Sequence, residues 1–252
     1  MDAFSDLIRG VRAHGSLFGS STLSPPWSLH FVDGAPLTLC TVLGGDGWIV
    51  PEHGPAVPLR AGETIVVRGP ETFTFVDEVG TSAEPVACGE FCATPELGGT
   101  RHRLGWHDDG AAPGGSAGSA ATTLIVGAYP VHGEISRRLL DALPVVLRVG
   151  AGGTCDPVLE HLAAEVAVDT PGQQVVLDRL LDWMLVCTLR DWFDRPGGEP
   201  PRWWAAQRDP VVGDALRLLH AEPAAPWTVG SLADRTGVSR STLAKRFADQ
   251  VG

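Results

Sequence analysis

From Trp27 to Val76 the chain advances in short β-branched or aromatic runs, each cut off by glycine or proline, and a helix cannot form on that rhythm. The runs are Trp27–Val32, Leu37–Leu43, Trp48–Val50, Glu63–Arg68 and Thr72–Val76. Two more strands are expected in Pro85–Cys92 and Thr122–Tyr129, with a Gly-, Ala- and Ser-rich loop over 105–121 between them. Many short strands at this spacing predict a barrel or jelly roll. From His132 the period changes: Ile135, Leu139, Leu140 and Leu143 repeat at three and four, and Pro144 ends that helix. Helices are expected over 157–168 and 170–193, and Phe4, Leu7, Ile8 and Val11 mark a shorter one near the N-terminus. The fold class is therefore α+β, with a β-barrel or jelly roll followed by helices and then an all-α segment.

The stretch Asp194–Arg202, dominated by proline and glycine, breaks the helical pattern. The reading divides the chain into residues 1–194, a linker over 195–207 and a terminal domain over 208–252. With 44% hydrophobic residues in 252, a sizeable core can be buried. No apolar run is long enough to span a bilayer, and the first residues lack the basic start and apolar centre of an export signal, so a cytoplasmic protein without membrane contact is expected. Five cysteines in such a chain argue for reduced thiols, ligands or redox chemistry rather than a disulfide framework.

Charge is unevenly spread. Of the net −11, residues 208–252 contribute +1 and the preceding 207 residues −12. A phosphate backbone would repel the acidic body, so nucleic-acid contact is expected only at the C-terminal end.

That end carries a specific pattern. Val229, Leu232 and Ala233 fall at helical spacing, Gly237 supplies a tight turn, Val238 fills the space between two helices, and Ser239 is a natural N-cap for the second. Leu243 and Phe247 mark the buried side of that second helix, while Arg240, Ser241, Thr242, Lys245 and Arg246 offer cations and short hydroxyls to phosphates and base edges. The segment resembles the first helix-turn-helix of AraC/XylS-family transcription regulators, and Asp209–Pro223 is similar to the helix that leads into it. The resemblance implies base-facing positions at Ser241, Ala244 and Lys245, with phosphate contacts at Arg240 and Arg246. Family members carry two such motifs joined by a long helix. The second does not follow here, so the resemblance implies weak DNA binding by this half of the reader.

The segment Pro58–Pro70 is similar to a cupin motif, in which a Gly-acidic turn leads into a strand and a Gly/Pro corner. Together the two halves resemble the cupin-bearing branch of the AraC family, whose barrel senses a signal or dimerises. The expected function is a DNA-binding transcription regulator, a homodimer acting on promoter DNA, with a small-molecule, thiophilic-metal or oxidant effector. The alternative is a metal-dependent cupin enzyme with a helical appendix. Against it, Phe73 stands near where a ligand histidine belongs, and Leu39-Cys40-Thr41 replaces the strand that supplies paired histidines. No catalytic residue is assigned. Thiols stand in for imidazoles: Cys40, Cys88 and Cys92 are the candidate metal ligands, for zinc or a similar ion, with His30 or His102 as a possible fourth. On a straight strand Cys88 and Cys92 would lie roughly 13 Å apart, at about 3.3 Å per residue, so a bulge at Gly89 or a partner such as Cys40 is required. The other reading makes them small buried apolar residues, and for Cys155 and Cys187 plain packing is the expectation.

Overall fold

A computed structural model describes residues 4–5, 8, 11, 19–23, 25–32, 34–82, 84–86, 121–129, 134–168, 170–198 and 200–251. Ten strands are described: β1 (Gly19–Leu23), β2 (Ser28–Phe31), β3 (Leu37–Gly44), β4 (Asp46–Pro51), β5 (Val57–Arg60), β6 (Thr64–Arg68), β7 (Phe73–Val76), β8 (Glu84–Val86), β9 (Thr122–Tyr129) and β10 (Val146–Val149). The helices are α1 (Glu134–Asp141), α2 (Asp156–Val166), α3 (Gln173–Asp194), α4 (Arg202–Arg208), α5 (Val212–Ala221), α6 (Val229–Thr236) and α7 (Arg240–Val251). They fall into two compact units, Val11–His132 with Leu143–Trp192, and Met1–Gly10 with Gly133–Ala142 and Phe193–Gly252.

The first unit is built on two five-stranded sheets, ordered β1-β9-β3-β6-β10 and β5-β4-β7-β2-β8. All described pairings are antiparallel except β2 with β8. The chain steps between sheets at tight corners. At the β5–β6 corner the Gly62 N–H donates to Val42 O at 2.8 Å, which is the Gly-acidic turn expected from Pro58–Pro70. At the β3–β4 corner Gly45 has φ 77°, and a Cβ there would meet Thr122 Oγ1 at 2.7 Å, so only glycine fits.

Alternation along the strands sends Leu29, Phe31, Cys40, Val42, Ile49, Leu59, Ile65, Val67, Phe73, Phe75, Leu124 and Val126 into one shared core. Phe31, Phe73 and Phe75 form an aromatic triad with centroids 5.2–5.6 Å apart. β3 and β9 are buried on their opposite face as well. α3 lies there: a Cβ on Gly127 would meet Leu181 at 3.2 Å, and the Tyr129 hydroxyl donates to Leu181 O at 2.8 Å. Along α3, Leu177, Leu181, Met184, Leu185 and Leu189 are buried, while Val175, Val176 and Trp183 are exposed.

Three strands escape the sequence pattern. β1 is Gly-Ser-Ser-Thr-Leu, too polar to read as a strand; β5 hides inside the turn motif; β10 follows Pro144, where only helices are expected. Each lies at or next to a sheet edge, where pairing to one neighbour suffices to hold a weakly patterned run.

In the second unit α4, α5, α6 and α7 pack together. α4 occupies the end of the stretch read as linker. Its Trp203 and Trp204 close an aromatic cluster with Phe4 and Phe193, at centroid distances of 5.1–6.5 Å. Asp194 accepts from Trp204 Nε1 at 2.7 Å and pairs with Arg208.

Candidate nucleic-acid interface

The helix-turn-helix is assembled by caps first and packing second. Thr228 and Ser231 form a reciprocal capping box at α6: Thr228 Oγ1 accepts from Ser231 N–H at 3.1 Å, and Ser231 Oγ accepts from Thr228 N–H at 2.9 Å. Gly237 closes α6 in the left-handed region at φ 71°, and Val238 N–H returns to Ala233 O at 3.0 Å. Ser239 Oγ then accepts from Thr242 N–H at 3.1 Å, capping α7 as its sequence position predicts. Ala215, Leu232, Ala233 and Leu243 form the small core, with Val211, Leu218, Leu219, Trp227, Val238 and Phe247 around it.

Anchoring Leu243 and Phe247 inward fixes what α7 shows outward. Ser241, Ala244 and Lys245 are three and four residues apart and so share the opposite face, with Arg240 and Arg246 on its two flanks. All five are exposed. The flanking arginines are not idle. Arg246 Nη1 lies 3.4 Å from Asp209 Oδ2, and the Arg240 guanidinium lies over Gly230, where a Cβ would come within 2.8 Å of it. Ser241 Oγ sits 2.9 Å from Ser239 Oγ. Lys245 is thus the cation on the central face.

Asp209 organises the start of α5. Its Oδ1 accepts from Val211 N–H and Val212 N–H, each at 2.9 Å. The Val212 amide first, then Val211 and Arg246, hold this carboxyl below its usual range. A depressed folded pKa means the stabilisation is complete above the unfolded carboxylate value, about 3.9, and disappears as pH falls through the folded value. Asp209→Ala should therefore cost about 1 kcal/mol at neutral pH, as a lost cap does. Thermal melts will show that difference shrinking in strong acid; a pH-independent difference would contradict the assignment.

Of the thiol candidates, Cys40 lies in the other unit. Cys40 is fully buried on β3, between Ile65 of β6 and Val126 of β9, and burial pushes its thiol well up. Its core companions are apolar, and Phe73, at the expected histidine position, belongs to the aromatic triad. His30 lies on the face of β2 opposite Leu29 and Phe31, with Nδ1 2.7 Å from Thr74 Oγ1, so it does not face Cys40. Cys88, Cys92 and His102 fall outside the described residues. Among the described residues no group of three His, Cys, Asp or Glu side chains is placed to hold a metal ion. Cys40 therefore has no described partner ligand, and a zinc site would depend on Cys88 and Cys92.

One cluster is missed by the sequence pattern. Cys155, just before α2, is buried against α3, the helix that carries Cys187. Cys155 Sγ also lies 3.6 Å from Thr188 Oγ1 and 3.7 Å from Asp191 Oδ2, while Asp191 accepts from Thr154 N–H at 2.9 Å and from Thr154 Oγ1 at 2.7 Å. A faint signal exists: Cys187, Thr188 and Asp191 fall on neighbouring positions of one helix side.

Among known proteins, the cupin family profile matches residues 2–194. A putative AraC-like transcription regulator of Streptomyces antibioticus is 29% identical over 257 residues, covering 100% of this chain and 80% of its own length. The HTH-type transcriptional regulator AlkR of Acinetobacter baylyi is 32% identical over 123 residues, 49% of this chain and 37% of its own. Of solved structures, apo ToxT from Vibrio cholerae aligns over 95% of this chain and 77% of its own, with 9% identity and a TM-score of 0.39.

Proposed function

This chain belongs to the cupin family, and from that premise we propose that it is a DNA-binding transcription regulator of the AraC type. The observation that carries the reading is the exposed Ser241, Ala244 and Lys245 face on a helix-turn-helix capped at both helices. A relative named as a putative AraC-like regulator, aligned over the whole of this chain and 80% of its own length, supports it. Lys245 donates to a base edge, guanine being the acceptor-rich partner in the major groove, and the short Ser241 and Ala244 let the helix approach. Arg240 and Arg246 meet phosphates on either flank, Arg246 exchanging Asp209 for the backbone. No described helix is long and apolar enough to cross a membrane.

The cupin domain takes up the signal and a homodimer presents two readers to promoter DNA. Its described interior is filled by aliphatic and aromatic side chains, and among the described residues no histidine cluster is placed for a metal; the signal in this reading is a small effector, an oxidant or a thiophilic ion. A thiophilic ion would have to be held by Cys40, Cys88 and Cys92. Elemental analysis separates these: stoichiometric zinc that disappears in C88A and C92A would support the ion.

DNA binding tests the main reading. Fragments selected from genomic DNA by the purified chain should bind Lys245→Ala about 1–3 kcal/mol more weakly, with relaxed sequence preference. Arg246→Ala should instead weaken binding to all sequences and lower the salt slope by about 1. Unchanged affinity in both variants would overturn the assignment.

A further inference from the structure

We infer that Asp209 restrains DNA binding, holding Arg246 on the protein so that a phosphate must displace a carboxylate before that flank of α7 engages. This rests on the helix-turn-helix reading and adds to it a regulating residue that itself meets no DNA.

Placement comes first. Arg246 flanks the Ser241, Ala244 and Lys245 face, yet its Nη1 lies 3.5 Å from Asp209 Oδ1 and 3.4 Å from Oδ2, on a carboxylate 37 positions earlier in the chain. Asp249 follows three positions on along α7, but the ion pair described for Arg246 is the one to Asp209. The two partners are not equally fixed. Asp209 Oδ1 accepts from Val211 N–H and Val212 N–H, each at 2.9 Å, which pins the carboxylate to the start of α5 whatever Arg246 does. The Asp209 side chain is 13% exposed, whereas Arg246 keeps 45% of its side chain in solvent. The acid is the anchor and the arginine the part that can swing.

Geometry makes the pair releasable. One guanidinium nitrogen faces both carboxylate oxygens, and both distances are long beside the about 2.7–2.9 Å of a good charged hydrogen bond. A phosphate can instead take two guanidinium N–H groups side by side. When Arg246 leaves, Asp209 retains its two backbone amides, so the carboxylate is not stranded without partners. DNA therefore wins the exchange, but what it gains from Arg246 is reduced by the pair it breaks. A solvent-exposed ion pair of this kind moves an equilibrium by about two- to fivefold. Because the new partner is a phosphate, the reduction is the same on every sequence. Asp209 thus lowers overall affinity and leaves base preference to Lys245.

The test is titration of fluorescein-labelled duplexes, one selected from genomic DNA by the purified whole chain and one of scrambled sequence, at a single salt concentration. Asp209→Asn keeps an oxygen for the two amides while removing the charge, and Asp209→Ser is a second uncharged cap. Each should bind both duplexes about two- to fivefold more tightly than the wild type. In an R246A background the same substitutions should leave affinity unchanged. Asp234→Asn, at an exposed acid of α6, measures the effect of merely removing one negative charge and should fall short of that gain. Equal affinity of D209N, D209S and the wild type overturns the proposal, as does a gain that persists without Arg246 or that D234N reproduces. A chain that binds through Lys245 but ignores Asp209 removes this inference alone. If the wild-type chain selects no DNA, or K245A selects equally well, the helix-turn-helix reading fails and the inference falls with it.

Discussion

Leu243→Ala is expected to unfold the C-terminal helix-turn-helix and abolish DNA binding. Leu243 is 2% exposed and is the one residue of α7 in a core of four buried side chains, the others being Ala215, Leu232 and Ala233. Truncating a buried leucine costs about 2–5 kcal/mol, and a core this small has few neighbours able to collapse into the space. The loss approaches the stability of a whole small unit. Limited trypsin digestion will report it, because α7 carries Arg240, Lys245 and Arg246, which are cut readily once the helix frays. Lys245→Ala provides the contrast, keeping protease resistance while weakening DNA binding. If Leu243→Ala stays as resistant as the wild type, the packing of α7 on α5 and α6 is not what holds the reading face in place.

Phe75→Ala is the second large effect, in the other unit. Phe75 is fully buried on β7, edge-to-face with Phe31 at 5.6 Å and with Phe73 at 5.4 Å. Removing it deletes two of the three ring contacts of the aromatic triad as well as its own packing. A buried Phe→Ala change costs about 3–5 kcal/mol. For a unit of this size that corresponds to a melting point lower by roughly 6–20 °C. The half-buried Trp48 on neighbouring β4 should give a smaller shift when truncated. Calorimetry of both variants decides it, and equal shifts would mean that the triad is not the centre of the core.

The caps of the helix-turn-helix were legible in the chain because they are local. Gly237 and Ser239 act on backbone groups within three residues, so residue type and position suffice. The Thr228 and Ser231 box was equally local and went unread, because serine stands where glutamate usually marks it. The central strands were legible too, since β2, β3, β6 and β7 bury a face and must alternate or run apolar. The polar β1 and the short β5 and β10 were not, because their conformation is set by the strand beside them.

Side-chain chemistry divided along the same line. The outward face of α7 follows from helical period alone, once Leu243 and Phe247 are taken inward. Whether Arg246 points at DNA or at Asp209, 37 positions earlier, does not follow from period, and the fold chose Asp209. Cysteine spacing directed attention to Cys40, Cys88 and Cys92, yet spacing carries no information about neighbours on other elements. Cys40 came to rest among apolar side chains, while Cys155, expected only to pack, lies against Thr188 and Asp191.

By itself, then, the sequence determined the α+β class, the strand-then-helix order and the capped helix-turn-helix, all consequences of periodicity and short-range backbone bonding. The tertiary structure decided which thiol gains polar partners, which arginine is held by a carboxylate and which residues of α3 are buried. Those outcomes depend on contacts between residues far apart in the chain, and such contacts exist only after the sheets and helices have packed.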